Sequence, residues 1–215
     1  MAYKASQLLT RGIRPPAADG QAANLYFDRT HDLPAAKILP GEFYVTDKNM
    51  VLVTVLGSCV AACIRDPLFG IGGMNHFMLP DSAVEAGGPN SASARYGTYA
   101  MEILINQLLK SGARRNALEA KVFGGGNVLR GMTQSNVGQR NADFVLKFLR
   151  IEGIPVIADD LVDVYPRKVY YFPHTGRVLM KKLREMHNGT ILDRERDYGV
   201  RLRKTEVAGD IELFS

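Results

Sequence analysis

Tryptophan is absent from this 215-residue chain, and cysteine is limited to Cys59 and Cys63. Two cysteines four positions apart cannot found a disulfide scaffold. On an extended strand their Cα atoms would lie about 13 Å apart, well beyond the ~7 Å that an S–S bond spans. Reduced thiols fit a cytosolic setting. No apolar stretch approaches the ~18 residues of a membrane span. The opening residues, MAYKASQLLTRGIRPP, lack the apolar core and small-residue cleavage site of a secretion signal. The expectation is a cytoplasmic protein without membrane insertion. Nucleotide signatures are missing too: Gly124-Gly125-Gly126 is not followed by Lys-Ser/Thr and does not complete G-x-G-x-x-G before an uninterrupted helix. The C-x3-C spacing, with a single histidine nearby, lacks the paired spacings of a zinc site. Neither a metal nor a cofactor is expected.

What is present is the composition of an ordinary globule, 46% hydrophobic and 23% charged, which excludes disorder throughout. The formal charge of +5 is concentrated in residues 177–204, where nine Lys/Arg meet four acids. That segment would attract an acidic surface. It carries no interleaved aromatics or groove-reading motif, so nucleic acid is not an expected partner, and a solvated basic face is the plain alternative.

Residues 1–37, with Pro15-Pro16, Gly20 and scattered apolar positions, read as a loosely ordered N-terminal extension. A domain is expected over 38–190, followed by a charged C-terminal tail over 191–215. Gly41–Thr46 and the β-branched run Met50–Leu56 read as strands. Cys59–Ile64 and Ile71–Leu79, either side of Asp66-Pro67-Leu68-Phe69-Gly70, read as a β-hairpin. Helical spacing follows over 94–110 and 141–151, with strand-like runs at 120–123, 154–158, 168–172 and 177–182. Strands first, then helices interleaved with strands, predict an α+β fold with a mixed, largely antiparallel sheet. Gly124–Gly126, at the end of one strand, are expected to permit close backbone approach or positive φ.

Cys59 is the candidate nucleophile, because a Gly57-Ser58 break at the end of an apolar strand presents its side chain at a sheet rim. A hairpin turn centred near Leu68 puts His76 or Phe77 opposite Cys59. One of these registers aims the imidazole to the thiol's face, and the other turns it away. A packed core cysteine and a merely hydrogen-bonded histidine remain the alternative. Cys63, inside an unpunctuated apolar run, reads as packing. His31, His174 and His187 fall in the extension or in turns and read as solvated.

Longer motifs then accumulate: Leu56-Gly57-Ser58-Cys59-Val60-Ala61-Ala62-Cys63, Arg65-Asp66-Pro67, Gly72-Gly73-Met74-Asn75-His76-Phe77-Met78-Leu79-Pro80, Arg95-Tyr96-Gly97, Lys121-Val122-Phe123-Gly124-Gly125, Val137-Gly138-Gln139-Arg140-Asn141 and Thr175-Gly176-Arg177-Val178. Over about 39–183 the sequence resembles the CheD family of chemoreceptor glutamine deamidases. The resemblance implies an α/β sandwich related to deamidating toxins. It also implies a Cys–His–Thr site of Cys59, His76 and Thr54, with the backbone around Ser58 and Cys59 as oxyanion donors. It implies hydrolysis of receptor glutamine to glutamate without a cofactor. The implied partners are the helical cytoplasmic region of methyl-accepting chemotaxis receptors and, as in some members, a CheC-type phosphatase. A non-catalytic module docking on either partner is the competing reading, and a cysteine peptidase of similar chemistry a further one. One departure stands out: Asp160-Leu161-Val162-Asp163 lacks the Gly-Gly that many members carry after the acidic residue.

Overall fold

The computed structural model describes residues 20–80, 92–127, 137–184, 193, 195 and 197–200. Among them are ten strands and two α-helices in the order β1 (Asn24–Asp28), β2 (Leu33–Lys37), β3 (Phe43–Thr46), β4 (Val51–Leu56), β5 (Val60–Asp66), β6 (Ile71–Asn75), α1 (Ala92–Lys110), β7 (Glu119–Gly124), α2 (Val137–Ile151), β8 (Val156–Leu161), β9 (Arg167–Phe172) and β10 (Arg177–Lys182), and residues 193, 195 and 197–200 are helical as well. The expected α+β sandwich is observed, with its strands divided between two sheets. The first is ordered β1-β2-β4-β9-β10 and the second β3-β6-β5-β7-β8. Of the pairings between these strands, only β2–β4 and β7–β8 are parallel.

Period-2 alternation in β5 builds both cores at once. Val60, Ala62 and Ile64 face α1 and α2, joining Met101, Leu104, Leu108, Val145 and Leu149. Cys59, Ala61 and Cys63 face the first sheet, joining Leu52, Leu56, Met74 and Tyr171. Such alternation follows from the pleat, which sends successive side chains to opposite faces. The result is three layers: helices, second sheet, first sheet. A strand covered on both faces needs apolar residues at every position, which is why Cys59–Ile64 lacks a polar alternation.

The N-terminal reading needs correction. Residues 24–37 are part of the first sheet: β1 and β2 form an antiparallel hairpin, and β2 continues in parallel with β4. Ala35 and Ala36 are buried there. Two alanines following Pro34 carry little strand signal of their own, and it is the distant β4 that supplies their partner. Residues 1–19 lie outside the described residues, as does most of 191–215. His31 is likewise not solvated: its ring packs 4.9 Å from Tyr170 and 5.3 Å from Phe172, and its Nδ1 lies 3.2 Å from Asp28. His174 is exposed, and His187 lies outside the described residues. No helix among the described residues is long and apolar enough to cross a membrane.

Candidate active site

The β5–β6 hairpin brings Cys59 and His76 to one face, in a register beyond both that the sequence suggested. Val60, not Cys59, stands opposite Phe77, and Cys63 stands opposite Met74. The turn is responsible, because its loop occupies residues 67–70 and its centre falls past Leu68. Cys59 thus lies one step beyond the Phe77 level and His76 one step before it. Two pleat steps restore the same face, so the two are diagonal neighbours between the sheets, a separation an imidazole can bridge.

Thr54 reaches the same place from the opposite sheet. It sits between Leu52 and Leu56 on the inward face of β4 and is 1% exposed. Its hydroxyl donates to the Ile38 carbonyl at 2.8 Å and lies 2.8 Å from His76 Nδ1. A hydroxyl has one proton, and this one is given to Ile38, so Nδ1–H must donate to Thr54. That tautomer leaves Nε2 as a bare acceptor. Nε2 is buried without a hydrogen-bond partner. Burial lowers the His76 pKa to about 4, against the opposing negative charge of Glu195 and the Ile38 carbonyl. The imidazole is therefore neutral and able to take a proton.

The turn carrying Cys59 is held by its carbonyls. Gly126 N–H donates to Gly57 O at 2.7 Å, Gly125 N–H to Cys59 O at 2.7 Å, and the Asn141 side chain to Ser58 O at 2.8 Å. The glycine run is required for this approach: a Cβ on Gly124, where φ is +114°, would lie 2.2 Å from Cys59 O. The expectation of close backbone contact is met. With three successive carbonyls committed to one side, the amides of Gly57, Ser58 and Cys59 open to the other. All three donate to the Glu195 carboxylate, at 2.9, 2.9 and 3.2 Å, and Ser58 Oγ adds a fourth bond of 2.6 Å. Such a nest of N–H groups binds anionic oxygen, the requirement of a tetrahedral oxyanion.

The Cys59 thiol is wholly buried, and burial raises its pKa well above the usual thiol value, with the Glu195 charge and a hydrogen bond to that carboxylate adding to the rise. Cys63 is a free, packed thiol raised by burial. Sequence reasoning missed Asn141 and Glu195. Asn141 is fully buried within an amphipathic helix, where a lone polar residue on the apolar face was the available signal. Glu195 stands 137 positions from Ser58, in a charged stretch with nothing to distinguish it. Among the described residues no group of three or more His, Cys, Asp or Glu could hold a metal ion.

A thiol, a neutral imidazole oriented by a hydroxyl, and a cluster of N–H donors are the parts of a thiol-dependent acyl-transfer centre. The sequence model of the CheD family, described as CheD chemotactic sensory transduction, matches residues 78–182. The chain is 66% identical over 194 residues to the probable chemoreceptor glutamine deamidase CheD of Herminiimonas arsenicoxydans, covering 90% of this chain and 96% of that one. It is 67% identical over 193 residues to the relative so named in Thiobacillus denitrificans, again covering 90% and 96%. Against the probable chemoreceptor glutamine deamidase CheD 1 of Shewanella oneidensis it is 60% identical over 191 residues, covering 89% and 93%. The chain belongs to the CheD family.

Proposed function

We propose that the protein deamidates glutamine side chains of chemotaxis receptors, with Cys59 as nucleophile, His76 as base and Thr54 as the group orienting the imidazole. The observation carrying this reading is the nest at Gly57–Cys59, which holds a carboxylate oxygen beside the thiol. Deamidation of glutamine ends in that same group. In the reaction His76 Nε2 accepts the thiol proton and the Cys59 sulfur attacks the carboxamide carbon. The oxyanion settles on the Gly57, Ser58 and Cys59 amides. His76 returns its proton to the departing ammonia, and water hydrolyses the thioester to glutamate. This chemistry draws on side chains and backbone alone. The relatives' names point to chemoreceptors, and we place the reaction in the cytoplasm, on the helical region of those receptors.

The complete burial of Cys59 supports a second reading, a regulatory module that docks on receptors or on a CheC-type phosphatase without turnover. Incubating the full chain with a receptor cytoplasmic fragment separates the two. Peptide mass spectrometry should find a gain of roughly 1 Da at particular glutamines, lost by about 10⁴-fold or more in Cys59→Ala. Binding with no gain in either protein would favour the module.

A further inference from the structure

We propose that the C-terminal segment carrying Glu195 is an internal plug that imitates the reaction product, so that the site is closed until this segment is displaced. The inference rests on the deamidase reading and adds to it a closed state. Its first support is the seat itself. The carboxylate takes every N–H of the 57–59 turn and the Ser58 hydroxyl, the donors a reacting carboxamide needs. Glu195 is 5% exposed, and no lysine or arginine among the described residues ion-pairs with it. A carboxylate buried without a counter-cation is justified only by a nest shaped for it. The fit is close: a Cβ at Gly57 would fall 2.8 Å from Glu195 Oε1.

A second support is what the plug does to the reactive pair. The Glu195 carboxylate is bonded to the Cys59 amide beside the thiol, while His76 Nε2 has no partner. The proton route from sulfur to imidazole is therefore unmade while Glu195 is seated. A cavity of about 250 Å³ reaches His76 between Gly41–Phe43 and Tyr96–Ile103 without bordering Cys59, and what remains of the cleft between His76 and Glu195, lined also by Lys37, Ile38, Leu39, Pro40 and Val55, has a volume of about 20 Å³. That admits one water and no glutamine side chain. Tyr198 fixes the same segment three residues on, with its hydroxyl bonded to that of Tyr96 and its ring edge against Gly41. The segment is thus anchored at two points around a nucleophile that no protein substrate can reach in this state.

The test uses the full-length chain and compares wild type with Glu195→Ala and Glu195→Gln. Carbamidomethylation by iodoacetamide is followed at Cys59 and at Cys63 by peptide mass spectrometry, with Cys63 as the internal reference. Glu195→Ala should speed reaction at Cys59 at least tenfold and leave Cys63 unchanged. Equal rates at Cys59 would overturn the plug. So would a parallel rise at both cysteines, which would make the segment a general brace of the fold. Glu195→Gln turns the plug into an internal substrate. The Cys59 sulfur displaces ammonia from the introduced carboxamide, and water then cleaves the thioester to restore the carboxylate and the free thiol. The intact protein should gain roughly 1 Da over time, and the Cys59→Ala double variant should not. An introduced carboxamide that persists in a protein able to deamidate a receptor fragment would overturn the product mimicry. A Cys59 made faster by Glu195→Ala, with no receptor glutamine altered by any form, would keep the plug and remove the deamidase reading.

Discussion

The two ends of strand β5 each present a carboxylate to a cluster of backbone amides, and they differ in how the charge is answered. At the turn end, Asp66 accepts from the Leu68 and Phe69 amides of its own loop at 2.9 and 3.4 Å, and from the Arg114 amide at 3.0 Å. The Arg114 guanidinium closes on it as a fork, at 2.9 and 3.1 Å, and lies over the Phe69 ring. At the rim end, Glu195 arrives from far along the chain and meets amides with no ion pair to a cation among the described residues, although Lys37 borders the same cleft. The neighbouring arginine at the turn end holds the Asp66 carboxyl far below the usual carboxylate range. One arrangement is a fixture and the other is a ligand. A fold can expose a row of donors at a strand end for either purpose, and the presence of a paired positive charge tells them apart.

That contrast predicts unequal costs. Asp66→Ala removes one partner of a pair whose carboxylate is fully buried and whose arginine is 42% exposed. It should lower unfolding free energy by about 2 kcal/mol, chiefly because the Leu68 and Arg114 amides lose their acceptor while the arginine left behind stays in solvent. Glu195→Ala should cost under about 1 kcal/mol, since water replaces the carboxylate once the segment lifts. Denaturant unfolding of the two variants beside wild type makes the comparison. Equal losses would mean that both ends are fixtures.

Acid should act at the rim first. The unfolded chain binds a proton at His76 near the ordinary pKa of 6.5, whereas the folded chain refuses it down to about 4. As pH falls through that window the unfolded state gains protons before the folded one. Stability from His76 is therefore whole above about pH 6.5 and declines from there, at roughly 1.4 kcal/mol per pH unit, to a loss on the order of 3 kcal/mol by pH 4. Asp66 has the opposite habit: its depressed pKa keeps its contribution intact until pH drops below the unfolded value of 3.8. Thermal melts from pH 7 to 4 should show the decline in wild type and a flatter profile in His76→Asn. Identical profiles would remove His76 as the cause.

Thr54→Val keeps the shape of β4 and deletes the hydroxyl that holds Nδ1. It should lower kcat on a receptor fragment by about 10- to 10²-fold, less than the ~10²–10⁴ attributed to a general base itself. KM should change little, because no part of Thr54 faces outward. A loss in KM alone would assign Thr54 to packing.

How much of this was legible follows from where each signal is local. The strand, the Gly57-Ser58 break and the hairpin turn stand consecutively in the sequence, so Cys59 and His76 could be found, with only the register displaced by the length of the turn. The helices over 92–110 and 137–151 declare themselves by spacing. Strands β1 and β2 do not, since Pro34-Ala35-Ala36 becomes a strand only by pairing with β4. Glu195 and Asn141 act across long stretches of chain, and no periodicity announces a residue whose partner is the backbone of another turn.

The loop that departs from the family pattern now has a physical reading. Val162 and Asp163 adopt φ of +64° and +72°, the left-handed region that glycine enters freely and a β-branched valine enters at a cost. The strain is tolerated because the loop supports the rim from below: Val162 N–H donates to Gly124 O at 2.8 Å, and Asn127 N–H to Asp163 O at 2.7 Å. Buried Arg167 holds the same loop, bonding to Asp160 and to the Val162 carbonyl. Val162→Gly should therefore raise stability by about 1 kcal/mol, the relief of left-handed strain exceeding the extra freedom glycine gives the unfolded chain. Deamidation rates should stay within about twofold, because the loop's backbone bonds need no side chain at 162. A stabilised variant with unaltered kinetics would mark this loop as a fixture like the Asp66 turn. A faster one would show that its strain is passed through Gly124 to the turn carrying Cys59.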